Sequence, residues 1–369
     1  MAFTHWLSDV FELQDRRHAR LLPMEGLRGL AVTLVFLQHY SVQAQLNGLD
    51  AGPAQAFAAA FRTYGNLGVE LFFVMSGYLI YGTLIRKSPP FLAFMARRLQ
   101  RIYPAFFVVF LAALALTILL PVPGKIPAGS GAAAIYLAAN AGLLAGLVPM
   151  VRIVDVAWSL SYEMFFYLVT AACVLGLNLP AVPRPRRIAM LAAATVVFIA
   201  LCYARIPEWP ERMMPFFAGM LLAEGVGGRM PAWVAWAALV VSFLASLSHA
   251  FSTATGELIH TMAFFAVCAV CFRGSGSISA LMTVTPLRWL GNMSYSYYLV
   301  HGFVVRAGMV VLARMLPHGM PEWLFWLFMP ILFGVTLVAS AVLFIAVEKP
   351  LSLRPQTVAG GAAAAGAQP

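Results

Sequence analysis

Charged residues are scarce in this chain: only 10% of its 369 residues are Asp, Glu, Lys or Arg. A soluble domain carries about 25% of such residues. Hydrophobic residues make up 62% of the sequence and lie in long runs. This composition excludes a soluble globular domain and predicts an all-α, polytopic membrane helix bundle.

Acidic residues and cysteines are also few. The 14 Asp and Glu residues are outnumbered by 24 Lys and Arg residues, which gives a net charge of +10. The basic residues lie mostly between the apolar runs, as the positive-inside rule expects, so nucleic-acid binding is not predicted. All four cysteines lie within apolar runs. This placement indicates neither a disulfide framework nor a metal site.

Eleven apolar segments are candidate membrane spans, since a crossing needs about 20 mostly apolar residues. They cover residues 28–46, 67–85, 102–120, 131–149, 159–178, 187–204, 212–226, 231–250, 256–273, 290–313 and 323–347. We predict ten crossings, with 131–149 re-entrant or lying in the interface. This count leaves the basic loop 183–188 and both termini in the cytoplasm, in agreement with the positive-inside rule.

These spans divide the chain into three parts. Residues 1–23 form a cytoplasmic N-terminal segment, 24–350 the membrane domain, and 351–369 a disordered cytoplasmic tail of low complexity. The N-terminal part is polar and contains "DRRHAR" before the first span. No cleavable signal peptide is therefore predicted.

Two ionisable residues, Arg28 and His39, stand in the first apolar segment. An ionisable group at the bilayer centre costs about 2.5–3.5 kcal/mol on insertion scales, so it usually faces the protein interior and marks function. Eleven residues amount to three helical turns plus about 20° and a rise of about 16 Å. Both side chains therefore share one helix face, with Arg28 at the cytoplasmic rim and His39 near mid-membrane. An interfacial anchor for Arg28 and a packing role for His39 remain open.

Arginines and a carboxylate mark the next candidate positions. Arg98 and Arg101 lie one helical turn apart in the loop before the third span, where two guanidinium groups can bind phosphate. Ordinary positive-inside charge would also explain them. Glu163 lies about one turn inside the segment 159–178, so it is expected to be paired or functional. Trp158 precedes it and could equally belong to an interfacial aromatic belt.

Polar residues also interrupt the second and the tenth apolar segments. Glu70 lies near the outer end of the second segment, and Ser76 and Gly77 form a small, flexible break further along it. Tyr298 and His301 continue a polar stripe at helical spacing in the tenth segment. A site lining and a helix–helix contact both explain such a stripe. Glu70 could instead be an exposed carboxylate at the rim, and Gly77 could be a packing glycine.

Several of these residues belong to motifs that occur together in one known family. Arg28 and His39 are separated by ten residues, and "ELFFVMSGYLI", "RRLQRIYP", "WSLSYE", "SYSYYLVH" and "VEKP" follow in order. In these motifs and their order, residues 24–350 resemble the acyltransferase-3 family of integral membrane O-acyltransferases. Only Met75 and Tyr78 depart from the residues common in the second motif.

The resemblance implies a donor, an acceptor and a location. The donor is an acyl-coenzyme A, usually acetyl-CoA, and the acceptor is commonly a hydroxyl of a glycan or lipid-linked sugar at the outer face of a bacterial inner membrane. The resemblance implies catalytic roles for His39 and Glu163, donor binding by Arg28, Arg98 and Arg101, and a site lined by Glu70, Ser76, Gly77, Trp158, Tyr295, Tyr298 and His301. Chemistry supports His39 as the base, since imidazole can take a hydroxyl proton near neutral pH. The family's frequent extracytoplasmic esterase-like domain has no counterpart in these residues.

Other functions are compatible with the polar residues. Intramembrane His39, Glu70, Glu163 and His301 could form the proton relay of a transporter or flippase. A non-catalytic assembly subunit is a further alternative. A small secondary metabolite could also replace the glycan as the acceptor of an acyltransferase. The expected partners are thus acyl-CoA, a hydroxyl acceptor and membrane lipids.

Overall fold

A computed structural model describes residues 2–12, 22–49, 51–119, 125–204, 211–228, 230–248, 253–274, 276–316 and 319–353. Within these ranges the chain is helical and contains no strand. The α-helices are α1 (Ala2–Phe11), α2 (Leu22–Leu46), α3 (Gly52–Tyr64), α4 (Leu67–Lys87), α5 (Phe91–Leu119), α6 (Ser130–Ala141), α7 (Ala157–Gly176), α8 (Arg184–Tyr203), α9 (Met214–Ala223), α10 (Ala232–Ser248), α11 (Thr253–Cys271), α12 (Ser277–Met282), α13 (Thr285–Asn292), α14 (Ser294–Met315) and α15 (Glu322–Leu343). A π-helix (Phe344–Ser352) continues α15, and short 3₁₀ turns occur at Leu179–Ala181 and Glu211–Met213.

Seven helical segments in the described ranges are long and apolar enough to cross a membrane. They are Gly52–Lys87, Phe91–Leu119, Ala157–Gly176, Arg184–Tyr203, Ala254–Cys271, Ser294–Met315 and Glu322–Ser352. Each corresponds to one of the ten predicted crossings. The chain is thus a helical membrane protein, whereas ten crossings and cytoplasmic termini stay predictions.

The three other predicted crossings have different lengths or compositions. α2 has 25 residues and is long enough, but polar residues such as Gln38 and His39 interrupt its apolar run. α9 has only ten residues, or about 15 Å, and α10 has 17, or about 26 Å. α6, in the segment predicted not to cross, has 12 residues and spans about 18 Å, well short of the roughly 30 Å hydrocarbon core.

Several predicted boundaries differ from those of the structure. The span 290–313 is two helices, because the chain breaks at Met293 between α13 and α14. α5 begins 11 residues before the predicted start at 102, so Arg98 and Arg101 lie on this helix and not in a loop. The "DRRHAR" segment and the tail from residue 354 lie outside the described residues.

Close backbone contacts fix the helices that carry the motifs. A Cβ atom at Gly77 of α4 would lie 2.2 Å from the carbonyl oxygen of Phe216, and one at Gly219 of α9 would lie 2.0 Å from that of Val74. Only glycine permits this approach of α4 to α9. Stacked rings beside it, from Phe73 and Phe166 on either side of Phe216, complete the packing with centroid distances of 4.3 and 4.1 Å.

Candidate active site

Motif residues from five helices surround one cavity of about 160 Å³. α2, α4, α5, α7 and α14 contribute its walls. The polar lining residues are Arg28, Ser76, Arg98, Arg101, Ser159, Glu163, Tyr167, Ser294, Tyr295 and Tyr298. Seven of the twelve predicted site residues are among them, which places all three predicted donor-binding arginines in one cavity.

Two of these arginines carry charge that no described carboxylate neutralises by direct contact. The Nε of Arg28 donates a hydrogen bond to the Oγ of Ser294 over 3.1 Å. The guanidinium of Arg98 lies over the rings of Phe94 and Tyr167, at 5.4 and 5.9 Å from their centroids. Its buried Nε finds no hydrogen-bond partner among the described residues. The cavity therefore offers two cations to an anionic ligand.

The third arginine, Arg101, is neutralised by Glu348. Its Nη1 lies 2.6 Å from Oε1 of this fully buried glutamate. The other carboxylate oxygen accepts hydrogen bonds from the backbone N–H and the hydroxyl of Ser296, over 3.0 and 2.6 Å. Glu348 thus joins the π-helix to α5 and to the first turn of α14. Glu348 lies in the "VEKP" motif, but the sequence predicted no role for it.

Glu163 lies in the same cavity as the arginines. Its Oε1 accepts hydrogen bonds from the hydroxyl of Ser76, over 2.9 Å, and from the hydroxyl of Tyr167. Its two hydrogen-bond partners and Arg98 line the same cavity. The sequence predicts a catalytic role for Glu163, and this role stays a prediction.

His39 is paired with His301, outside the cavity lining. The two ring centroids are 4.7 Å apart and the rings are nearly perpendicular, at 79°. The contact of Arg28 with Ser294 and that of His39 with His301 show that α2 and α14 run in parallel. His301 lies one turn beyond Tyr298, the last residue of α14 that lines the cavity.

Tyr298 separates the cavity from the histidine pair. Its ring centroid lies 5.6 Å from that of His301. Its hydroxyl lies 2.6 Å from the Oγ of Ser159 and donates to the carbonyl oxygen of Val156 over 3.0 Å. The ring is therefore held at the boundary between the arginine-lined space and the histidines.

Three other predicted site residues lie elsewhere. Gly77 packs against α9, as described above, so it positions Ser76 and does not line the cavity. Glu70 is buried beside Glu257 of α11, and its Oε2 has no hydrogen-bond partner within the described part of the chain. Trp158 has the guanidinium of Arg212 over its ring, 4.6 Å from the centroid. A sugar could stack on that face of the Trp158 ring only if Arg212 moved.

No metal site emerges from the described ranges, in which no three His, Cys, Asp or Glu side chains lie close enough to hold an ion. The charged groups at this place are instead three lining arginines and the lining Glu163, together with Glu348, which is bound to Arg101 but does not line the cavity. Their formal sum is one positive charge, which favours an anionic organic ligand.

Comparisons with known proteins identify relatives across most of the chain. The model of the acyltransferase-3 family, described as an acyltransferase domain, matches residues 23–345. Acyltransferase MdmB of Streptomyces mycarofaciens is 26% identical over 79% of this chain and 81% of its own length. Exopolysaccharide production protein ExoZ of Rhizobium meliloti is 27% identical over 68% of this chain and 80% of its own.

A third relative matches only a part of the chain. Regulator of hypoxia-inducible factor 1 of Caenorhabditis elegans is 36% identical over 28% of this chain and 24% of its own length. No solved structure matches the chain significantly.

Proposed function

Because the chain belongs to the acyltransferase-3 family and is an O-acyltransferase, we propose that its donor is acetyl-CoA and that the arginine-lined cavity binds it. The observation that carries this proposal is the pair of cations at Arg28 and Arg98, which lack a described carboxylate partner. Guanidinium groups bind phosphate through planar, multidentate hydrogen bonds. Coenzyme A is polyanionic, so it supplies the phosphates that these two groups require.

The proposed reaction uses His39 as the general base. His39 takes the proton of the acceptor hydroxyl, whose oxygen forms an ester bond to the thioester carbon as the carbon–sulfur bond breaks. The coenzyme A thiolate leaves and receives the proton from His39. A positioned base of this kind contributes typically 10²–10⁴-fold to the rate. Covalent transfer through an acetylated His39 is the alternative course.

Glu163 is proposed to act on the donor side of the reaction. It lies among the arginines and has its hydrogen bonds to Ser76 and Tyr167. Its carboxylate offsets part of their charge, and a bond to either the donor or the acceptor hydroxyl would orient the reacting groups. Glu163 has no proposed role in orienting His39, whose ring contacts His301.

Release of coenzyme A tests the donor and the base. Purified protein in lipid nanodiscs is incubated with acetyl-CoA, and free coenzyme A is measured by liquid chromatography and mass spectrometry. A thiol reagent is unsuitable because all four cysteines are free. We expect release above that of empty nanodiscs and its loss in His39→Ala. Wild-type turnover in folded His39→Ala protein would refute the assignment of the base.

Binding of coenzyme A tests the cavity. Arg98→Ala should weaken binding, measured by isothermal titration calorimetry, and added salt should weaken it further. Arg97→Ala is the matched control, because Arg97 is the neighbouring exposed arginine and does not line the cavity. Equal affinities of the two variants would exclude this cavity as the phosphate site.

The proposed acceptor is a hydroxyl of a glycan or a lipid-linked sugar at the outer face of the bacterial inner membrane. The relative named for exopolysaccharide production supports a glycan. The test is the mass of products formed from acetyl-CoA with extracted lipid-linked saccharides and, separately, with a panel of hydroxylated secondary metabolites. Acetylation confined to the metabolites would contradict the glycan and identify the alternative acceptor class.

A further inference from the structure

His301 is fully buried and its ring is held in one orientation. Its Nδ1 lies 2.7 Å from the carbonyl oxygen of Tyr298 and 3.2 Å from that of Tyr297. The ring of Tyr297 lies almost parallel to it, at 8° and 6.0 Å between centroids. Ring packing and two backbone carbonyl groups thus determine the orientation of the His301 imidazole ring.

These contacts determine the tautomer of neutral His301. A carbonyl oxygen only accepts hydrogen bonds, so the proton must lie on Nδ1. Nε2 then carries a lone pair. This atom is buried and finds no hydrogen-bond partner in the described ranges. A buried acceptor without a partner has lost its solvation at a free-energy cost, and a donor that reaches it during function would recover that cost.

The nearest ring is that of His39, 4.7 Å away between centroids. His39 is only partly buried, so its ring has more freedom to turn than that of His301. For a hydrogen bond between the two rings, one N–H group of His39 must turn toward Nε2. The other ring nitrogen of His39 then keeps its lone pair for the acceptor hydroxyl.

We propose that His301 is a positioning residue for His39, through a hydrogen bond from the His39 N–H to the Nε2 of His301. The inference rests on the proposed transfer reaction. In the ground state this bond selects the tautomer of His39 that can act as a base. When His39 holds the hydroxyl proton, both of its nitrogens carry hydrogen, and Nε2 of His301 stabilises the resulting cation. The proton then passes to the coenzyme A thiolate, and His301 returns unchanged.

Two substitutions of His301 distinguish a hydrogen bond to His39 from a role in packing alone. In His301→Asn the side-chain amide can still donate to the carbonyl of Tyr298, but the acceptor at the position of Nε2 is lost. In His301→Gln the longer side chain places its carbonyl oxygen near that position. A hydrogen bond to a charged group contributes about 1.5–3 kcal/mol, so His301→Asn should lower kcat about 10- to 100-fold. His301→Gln should recover most of that loss.

The measurement is coenzyme A release from acetyl-CoA with water as the acceptor, with kcat and KM determined separately. The KM for acetyl-CoA should stay near its wild-type value in both variants, because His301 does not line the arginine-lined cavity. His260→Asn is the control for the loss of a buried histidine. His260 has hydroxyls at both ring nitrogens, 2.8 Å from Ser242 and 3.4 Å from Ser246, and should tolerate the change without loss of kcat.

Wild-type kcat in monodisperse His301→Asn protein would overturn the proposal. Equal losses of kcat in the Asn and Gln variants would also overturn it, since packing alone would then explain the effect. A failure of the proposed function gives a different result: wild-type protein would release no coenzyme A, and His39→Ala would not differ from it.

Discussion

The ion pair between Arg101 and Glu348 gives the sharpest prediction, because the structure specifies both partners and their surroundings. Glu348→Gln keeps the size of the side chain and removes its charge. The carboxylate is 0% exposed, and the Arg101 side chain is 23% exposed. The variant therefore leaves a largely buried guanidinium without its counter-charge, and the glutamine oxygen must serve either Arg101 or Ser296.

The expected loss of stability follows from this geometry. Breaking a buried pair by removing one partner costs about 3–5 kcal/mol. Partial exposure of Arg101 lets water reach its guanidinium, and glutamine retains one acceptor for Ser296. We therefore expect the lower end of the range, about 3 kcal/mol. Arg101→Gln should destabilise as well, because it leaves the buried carboxylate of Glu348 unpaired.

A double-mutant cycle measures the pair itself. Arg101→Gln combined with Glu348→Gln leaves no buried charge, so the double variant should be more stable than the sum of the single changes implies, by roughly 0.5–3 kcal/mol. Stability is read as the unfolding free energy in mixed detergent micelles. The control is Arg306→Gln, which breaks the exposed pair with Asp155, whose side chains are 63% and 67% exposed.

The control variant should change stability by about 0–1 kcal/mol. Strict additivity of the two single changes at Arg101 and Glu348 would refute the reasoning. The reasoning would also be refuted if Glu348→Gln lost no more stability than the control variant Arg306→Gln. Either result would mean that the contact at 2.6 Å does not couple the two side chains energetically.

Three further predictions concern other parts of the molecule. Glu163→Gln should lower kcat for coenzyme A release without weakening coenzyme A binding, because it removes a negative charge from a cationic cavity; weaker binding with normal kcat would contradict it. Gly77→Ala should lower the apparent Tm, since its new Cβ would lie 2.2 Å from a carbonyl oxygen of α9, whereas Gly334→Ala, which meets no atom within 4 Å, should not. Cysteines introduced at Ala96 and Asp155, in a variant without the exposed native cysteine, should be labelled from the cytoplasm and from outside, respectively. Labelling of position 155 from the cytoplasm would contradict the predicted topology.

Apolar composition predicted the helical class, but it did not give helix lengths. α9 is the clearest case, because the apolar run 212–226 contains a helix of only ten residues preceded by a 3₁₀ turn. Hydropathy does not distinguish a helix from an apolar turn within such a run. The break at Met293 was equally hidden, because no proline marks it. It depends on tertiary contacts, such as the hydrogen bond from Asn292 to the carbonyl oxygen of Phe11, 281 positions away.

For the candidate site, too, the sequence predicted relations within one helix but not contacts between distant parts of the chain. Helical spacing placed Arg98 and Arg101 one turn apart and put His39 on the face of Arg28, and these relations need only a regular helix. Glu348 was missed because its partner Arg101 lies 247 positions away, a distance at which no periodic pattern operates. The neighbours of Glu163 were hidden for a related reason: its depth along α7 could be counted from the sequence, but its hydrogen-bond partner Ser76 lies 87 positions away.

The ten residues between Arg28 and His39 on α2 determine both the relative direction of their side chains and their separation along the helix axis. Eleven steps of 100° return to the same face within about 20°, whereas ten or twelve steps would turn His39 by about 80° or 120° from that face. The same eleven steps separate the two residues by about 16 Å along the axis. On α14, Ser294 lies against Arg28 and His301 against His39. These two residues are seven positions apart, so they also share one helix face, but they are separated by only about 10 Å along the axis. A donor whose phosphates lie at Arg28 must therefore extend along this helix pair to bring its thioester to His39. That path passes Tyr298, the residue that separates the cavity from the histidine pair.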